Sequence, residues 1–190
     1  KTIVGAIEQG RVIFDNLRKV VTFLLSGSFS EIILIGASVI AGFPLPVLAG
    51  QILWVNLVED ALPAFALAHE PKEKDVMNLL PAGRSVPILD RQMKAIIFIV
   101  GIVSDLLLLG LFLWIFQSGF PIDYIRTMVF TVLGSNSLLY IFSIKSLRHS
   151  ILRIDLFNNK YLLGAVILGW GMMVAAVYAP FLQELLRTVP

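Results

Sequence analysis

Residues 46–68 read PVLAGQILWVNLVEDALPAFALA, an apolar run of 23 residues with Asn56, Glu59 and Asp60 set inside it. A helix needs roughly 20 mainly apolar residues to cross a bilayer, so the run is long enough to span one. A carboxylate near the bilayer centre costs at least roughly 2.5–3.5 kcal/mol on insertion scales, and one kept there usually marks an ion or proton path. Asn56, Glu59 and Asp60 are spaced i, i+3, i+4, which puts them on one face of a helix.

The neighbouring runs have the same character. Together they predict five spans, at about 20–41, 46–68, 95–116, 124–144 and 161–178. The chain is 57% hydrophobic, 15% charged and has a mean hydropathy of +0.86, far more apolar than an ordinary soluble domain. Barrel strands would be about half as long with strict alternation, so the expected fold class is all-α, a polytopic transmembrane bundle. Residues 1–19 carry apolar positions at helical spacing (Val12, Ile13, Asn16, Leu17), which predicts a stalk helix running from water into the first span. Internal repeats and low-complexity tracts are not evident.

Basic residues set the expected orientation. With the N-terminus inside, 13 of the 15 Lys and Arg fall on inner segments, and only Arg126 and Arg187 fall outside. The connection Gly42-Phe43-Pro44-Leu45-Pro46 is short, so spans one and two are expected to form a tight antiparallel pair. The inner loop from His69 to Lys94 reads as a docking surface or linker, not as a further domain.

The net charge of +2 and the lack of a basic stripe with interleaved aromatics exclude a nucleic-acid partner. Without cysteine, disulfides and thiolate metal sites are impossible. His69 and His149 are isolated beside charged loops, which argues against a histidine metal site. Lys1-Thr2-Ile3-Val4 does not begin a secretory signal, and both ends read as cuts through a longer protein.

Depth can be counted along the helices. At about 1.5 Å per residue, Glu31, about 11 residues into its span, and Asn56 and Asp60, about 10 and 14 residues into theirs, land near mid-membrane. Ser28 shares a face with Glu31. Oxygen-only ligands suit hard cations such as Ca²⁺. Pro63 lacks an N–H and would free the Glu59 carbonyl, predicting a locally unwound helix that offers carbonyls beside carboxylates. Asp105, mid-depth on the third span, fits either a hydrogen bond across a helix interface or a proton-relay or counter-ion role. Asn136 and Ser137 on the fourth span could add neutral ligands or simply pack. Adjacent Glu59 and Asp60 cannot easily both stay charged without a cation. That suggests cation/proton exchange, unless Glu59 points away and pairs with another helix, for example through Asn136.

Gln51-Ile52-Leu53-Trp54-Val55-Asn56-Leu57-Val58-Glu59-Asp60-Ala61-Leu62-Pro63-Ala64 resembles the sixth transmembrane helix of P-type cation-transporting ATPases of the calcium-pump group. Ala66-Leu67-Ala68-His69-Glu70-Pro71 and Asp75-Val76-Met77 resemble the loop that follows it. Gly10-Arg11 with Asn16-Leu17-Arg18-Lys19 is similar to the stalk of the fifth helix, and Ser30-Glu31 to its ligand stretch. Arg148-His149-Ser150 with Asn159-Lys160-Tyr161-Leu162-Leu163-Gly164-Ala165 resembles the loop and ninth helix of bacterial and archaeal members. Pro180-Phe181-Leu182-Gln183 resembles the outer exit from that helix.

The resemblance implies that residues 1–190 are the C-terminal transmembrane transport domain of an ATP-driven pump in the plasma membrane of a bacterium or archaeon. Its implied partners are the lipid bilayer and the first four helices, the tenth helix and the cytoplasmic domains of the same pump. No DKTG motif occurs, so Mg²⁺ and ATP would act only through those cytoplasmic domains and this stretch alone could not hydrolyse ATP. The implied ligands are Glu31, Asn56 and Asp60, with Ser28 where the fifth-helix Asn usually stands and Ser137 near the eighth-helix ligand. Glu59 stands where calcium pumps have Thr. Ca²⁺ is the first expectation for the transported cation, with Na⁺, H⁺ or another cation open. A channel, a secondary transporter or a membrane scaffold sharing only the helix pair is the alternative.

Overall fold

The computed structural model describes residues 2–73, 75–78, 87–149 and 151–190. Lys1, Lys74, Ser150 and residues 79–86 of the inner loop lie outside the described residues. Among those described, every regular element is a helix. In chain order they are α1 (Thr2–Ile40), α2 (Ala49–Trp54), a π-helical turn (Val55–Asp60), α3 (Ala61–Leu67), α4 (Arg91–Gln117), α5 (Ile122–Ile144), a short 3₁₀ turn (Ile151–Arg153), α6 (Lys160–Tyr178) and α7 (Pro180–Leu186). Four of them, α1, α4, α5 and α6, are long and apolar enough to cross a membrane. α2, the π turn and α3 follow one another without a break. This is an all-α transmembrane bundle of an integral multi-pass protein.

The bundle interior combines two apolar clusters with a set of buried polar side chains. α1 buries Thr22, Ser26, Ser30 and Ser38 and leaves Ile32, Val39 and Ile40 exposed. α4 buries Asp105 and exposes Ile99, Leu106 and Leu107. Apolar surface of that kind needs lipid around it, while small hydroxyl side chains let helices approach and bond across the interface.

α1 makes its longest contact with α4, not with the α2–α3 segment that follows it in sequence. Arg18 bonds Met93 Sδ, Ser26 O faces Gly101, and Ser30 bonds Asp105. The partners differ by 75 in each pair, so the two helices run parallel in constant register. The α1–α2 turn closes at Gly42 (φ 74°), where Phe43 N–H reaches back to Ser38 O at 2.9 Å. That left-handed position favours glycine.

Charged side chains gather at the opposite end. Lys19, 1% exposed, bridges Asp15 and Glu73 on the loop after α3. Arg148 joins the same two carboxylates from the α5–α6 connection. Burial would raise the Glu73 carboxyl, but its hydrogen bond from Lys19 and the Lys19 and Arg148 charges outweigh that and hold it below the ordinary range. Asn16 Nδ2 donates to Ala68 O and Glu70 O, and Arg11 donates to Val76 O. The described part of the inner loop is therefore fastened along the stalk rather than hanging as a free linker.

Asp90 caps α4, accepting the Met93 N–H at 2.8 Å and pairing with Arg18. Partial burial would raise its carboxyl, but the Met93 amide and the Arg18 charge hold it below the usual range. A lowered carboxyl contributes stability that is full above the unfolded value, about 3.9, and is lost as pH falls through the lower folded one. Asp90→Ala is expected to cost about 1 kcal/mol. It should also shrink the acid-side fall of stability below about pH 4. Unfolding midpoints against pH in detergent check both; an unchanged acid limb would count against the cap.

Candidate cation site

Two polar clusters meet at mid-bundle. In the first, Asn56 Nδ2 on the π turn donates to Glu31 Oε1 at 2.8 Å and Oε2 at 3.0 Å on α1, and to Ile52 O. In the second, Ser137 Oγ on α5 donates to Asp60 Oδ1. Asp60 is buried, and its Oδ2 lies against Gly27 of α1, where a Cβ would stand only 3.2 Å away. Gly27 thus lets α1 come close enough for Asp60 and Glu31 to line one cavity.

That cavity, of about 30 Å³, is bounded by Glu31, Asp60, Ser137, Asn136 and Ser104, with Ser26, Ser30 and Tyr140 completing its polar wall. A volume of this size holds about one water-sized particle. Tyr140 OH and Ser26 Oγ meet at 3.1 Å, and the Phe23 and Tyr140 rings stack with centroids 6.2 Å apart. Leu133, Val55 and Val100 supply apolar wall. Three helices and the π turn therefore converge oxygen atoms on one small space.

The helix break is not the unwound segment expected from Pro63. The chain stays helical and widens into an i→i+5 turn, with Ala61 N–H bonded to Asn56 O. A π turn absorbs the proline's missing donor locally and is a frequent feature of functional sites.

The structure separates the sequence-derived residues. Glu31, Asp60 and Ser137 come together with Asn136 around the cavity, while Asn56 bonds Glu31 without lining it. Ser28 does not line it; Ser26 and Ser30 do. Asp105 is 1% exposed and accepts from Ser30 Oγ at 2.6 Å, behind the wall rather than in it. Glu59 points the other way. Its Oε2 lies where a Cβ on Gly134 would come within 2.6 Å, beside Met173 of α6, and neither of its oxygens accepts a hydrogen bond. Asn136 does not pair with it. Trp54 Nε1, one π turn earlier, is the donor nearest this carboxylate but falls short of good hydrogen-bond geometry. Sequence reasoning missed Ser26, Ser104 and Tyr140, although Thr22, Ser26 and Ser30 repeat at i+4 and so mark a face.

The family described as "Cation transporting ATPase, C-terminus" matches residues 44–190. The chain belongs to this family. It is 35% identical over 200 residues to calcium-transporting ATPase 1 of Bacillus cereus, covering 97% of the chain and 22% of that protein. It is 33% identical over 192 residues to a calcium-transporting ATPase of Bacillus subtilis, covering 99% of the chain and 21% of that protein. A P-type sodium-transporting ATPase of Toxoplasma gondii is 42% identical over 118 residues, covering 59% of the chain and 9% of that protein. The chain thus spans about a fifth of the length of the two Bacillus relatives, and it corresponds to the C-terminal region of the P-type pumps.

Proposed function

We propose that this member of the cation-transporting ATPase C-terminal family is the ion-holding membrane domain of an ATP-driven pump, and that the transported ion is Ca²⁺. The observation that carries the reading is the meeting of Glu31, Asp60 and Ser137 from α1, the π turn and α5 around one small cavity, with Asn56 bonded to Glu31 at its edge. Two carboxylates, an amide and a hydroxyl are hard oxygen donors, the set that Ca²⁺ prefers.

The internal hydrogen bonds suggest how the cation is received. Asn56 Nδ2 occupies the space in front of both Glu31 oxygens, and Ser137 Oγ satisfies one oxygen of Asp60. An entering cation replaces these donors: Asn56 turns its Oδ1 inward, Ser137 offers a lone pair, and both carboxylates bind the ion. The other oxygens that Ca²⁺ requires, six to eight in all, come from Asn136, Ser104, water or helices outside this chain. Phosphorylation by ATP, with its Mg²⁺, takes place in cytoplasmic domains beyond these residues. The 39-residue α1, continuous from the charged end to Glu31, carries that movement to the site. The proposed membrane is a prokaryotic plasma membrane, with the charged end in the cytoplasm. Cysteines placed at Ser118 and at Phe157, both exposed, should then label from opposite sides; labelling from one side contradicts this orientation.

Sodium is the second reading, favoured by the similarity to the Toxoplasma sodium-transporting ATPase. The two are separated by reconstituting the whole pump and following ATP-driven uptake of radioactive calcium and sodium. Saturable calcium uptake that does not need sodium is expected. Sodium uptake without calcium uptake would overturn the assignment.

A further inference from the structure

At the charged end, the loop after α3 and the connection between α5 and α6 enclose a second cavity, of about 480 Å³. Glu73 and Asp75 face it from the first segment and His149 from the second. His149 looked isolated in the sequence, but the fold brings it to two carboxylates more than 70 residues away. We propose that Glu73, Asp75 and His149 form a binding site for a divalent transition-metal ion, with zinc as its type. The proposal is independent of which ion the mid-bundle cavity carries.

Three observations carry it. His149 Nε2 stands 3.4 Å from Asp75 Oδ2 and 3.7 Å from Glu73 Oε2, and one ligand atom from each residue lies within 4.8 Å of the others. Those two separations are long for hydrogen bonds. They suit two ligands of one ion: with zinc–nitrogen and zinc–oxygen bonds of about 2.0–2.1 Å, tetrahedral neighbours stand about 3.3 Å apart. Second, Asp75 Oδ1 accepts no hydrogen bond, although the side chain as a whole is 35% exposed. Third, the cavity leaves room for the water that completes a four-coordinate shell. One imidazole with two carboxylates is a mixed nitrogen and oxygen set, which suits zinc or manganese better than calcium.

The charges around the cluster are balanced. Lys19 and Arg148 reach Glu73 from the stalk side and from the α5–α6 connection. Around the cavity Asp15, Glu70, Glu73, Asp75 and Asp155 balance Lys19, Lys72, Lys145, Arg148 and Arg153, so an entering metal competes with Arg148 for Glu73 Oε2. Bound there, the ion would tie the loop after α3 to the α5–α6 connection beside Lys19 of the stalk, three segments that must shift together if α1 moves.

The test uses the whole pump in detergent, with zinc alone in equilibrium dialysis and cobalt as a spectroscopic substitute. The wild type should retain one zinc that His149→Ala and Asp75→Asn lose, each weakening affinity by at least the roughly 10–100-fold that loss of an outer-sphere partner costs. Asp60→Asn, remote from the cluster, should leave zinc binding unchanged. His149 is 43% exposed on its side chain, so its removal does not threaten folding. The wild-type cobalt complex should absorb strongly in the visible, as low-coordinate cobalt with a nitrogen ligand does. Zinc binding equal in the wild type and both variants, or a cobalt spectrum no stronger than that of the hydrated ion, would overturn the site.

Discussion

Replacing Asp60 by Asn in the whole pump is expected to abolish phosphorylation by ATP that depends on the transported cation, while phosphorylation by inorganic phosphate survives. Asparagine keeps the size of the side chain and an oxygen that can accept the Ser137 hydroxyl, so the contact between the π turn and α5 persists. What it removes is the charge at the centre of the cavity. A divalent cation entering a low-dielectric site needs that charge, because neutral oxygens alone do not offset its lost hydration. Asn56→Ala should behave alike, since it removes the amide that faces both Glu31 oxygens. Glu31→Gln should weaken the response by a smaller factor. Cation-dependent phosphorylation that survives in Asp60→Asn would contradict the assignment, whereas loss of both reactions would indicate a collapsed fold.

Lys145→Met should be the most destabilising single change at the charged end. Its ammonium is 1% exposed and donates to Asp155 O at 3.0 Å, Leu156 O at 2.9 Å and Asn158 Oδ1 at 2.6 Å, with Glu70 Oε1 at 3.3 Å. Methionine fills much the same volume but leaves those oxygens without a donor and Glu70 as a buried charge helped only by Asn159. Breaking a buried pair from one side costs about 3–5 kcal/mol. Equilibrium unfolding in detergent should show the shift, and an unchanged midpoint would mean that water already reaches the pair.

The two changes probe parts that the sequence revealed unequally. Glu31, Asn56 and Asp60 could be read because carboxylates in apolar runs are costly, and counting residues gave their depth. The direction of Glu59 could not. The i, i+3, i+4 rule assumes α-helical spacing, and the π turn at Val55–Asp60 aligns Glu59 with Trp54 and turns it to Gly134 instead of the cavity. Pro63 signalled an irregularity, but its sequence does not say whether the chain unwinds or widens. Ser28 entered by its i, i+3 spacing to Glu31 and by resemblance, while the face that lines the cavity belongs to Ser26 and Ser30. The parallel pairing of α1 with α4 had no local signal either, since leucine and isoleucine pack against many partners and the register rests on single contacts such as Ser30 with Asp105. His149 shows the same limit at the other end of the bundle: its neighbours Glu73 and Asp75 are supplied by the fold.

The central claim is that a cation is held between Glu31 and Asn56 on one side and Asp60 and Ser137 on the other. Equilibrium binding of radioactive calcium to the purified whole pump, without ATP, tests it most directly. Wild type should bind calcium saturably, Ser137→Ala more weakly, and Asp60→Asn not measurably, with all three folded by their unfolding midpoints. Calcium binding to folded Asp60→Asn with the affinity and stoichiometry of the wild type would contradict the claim.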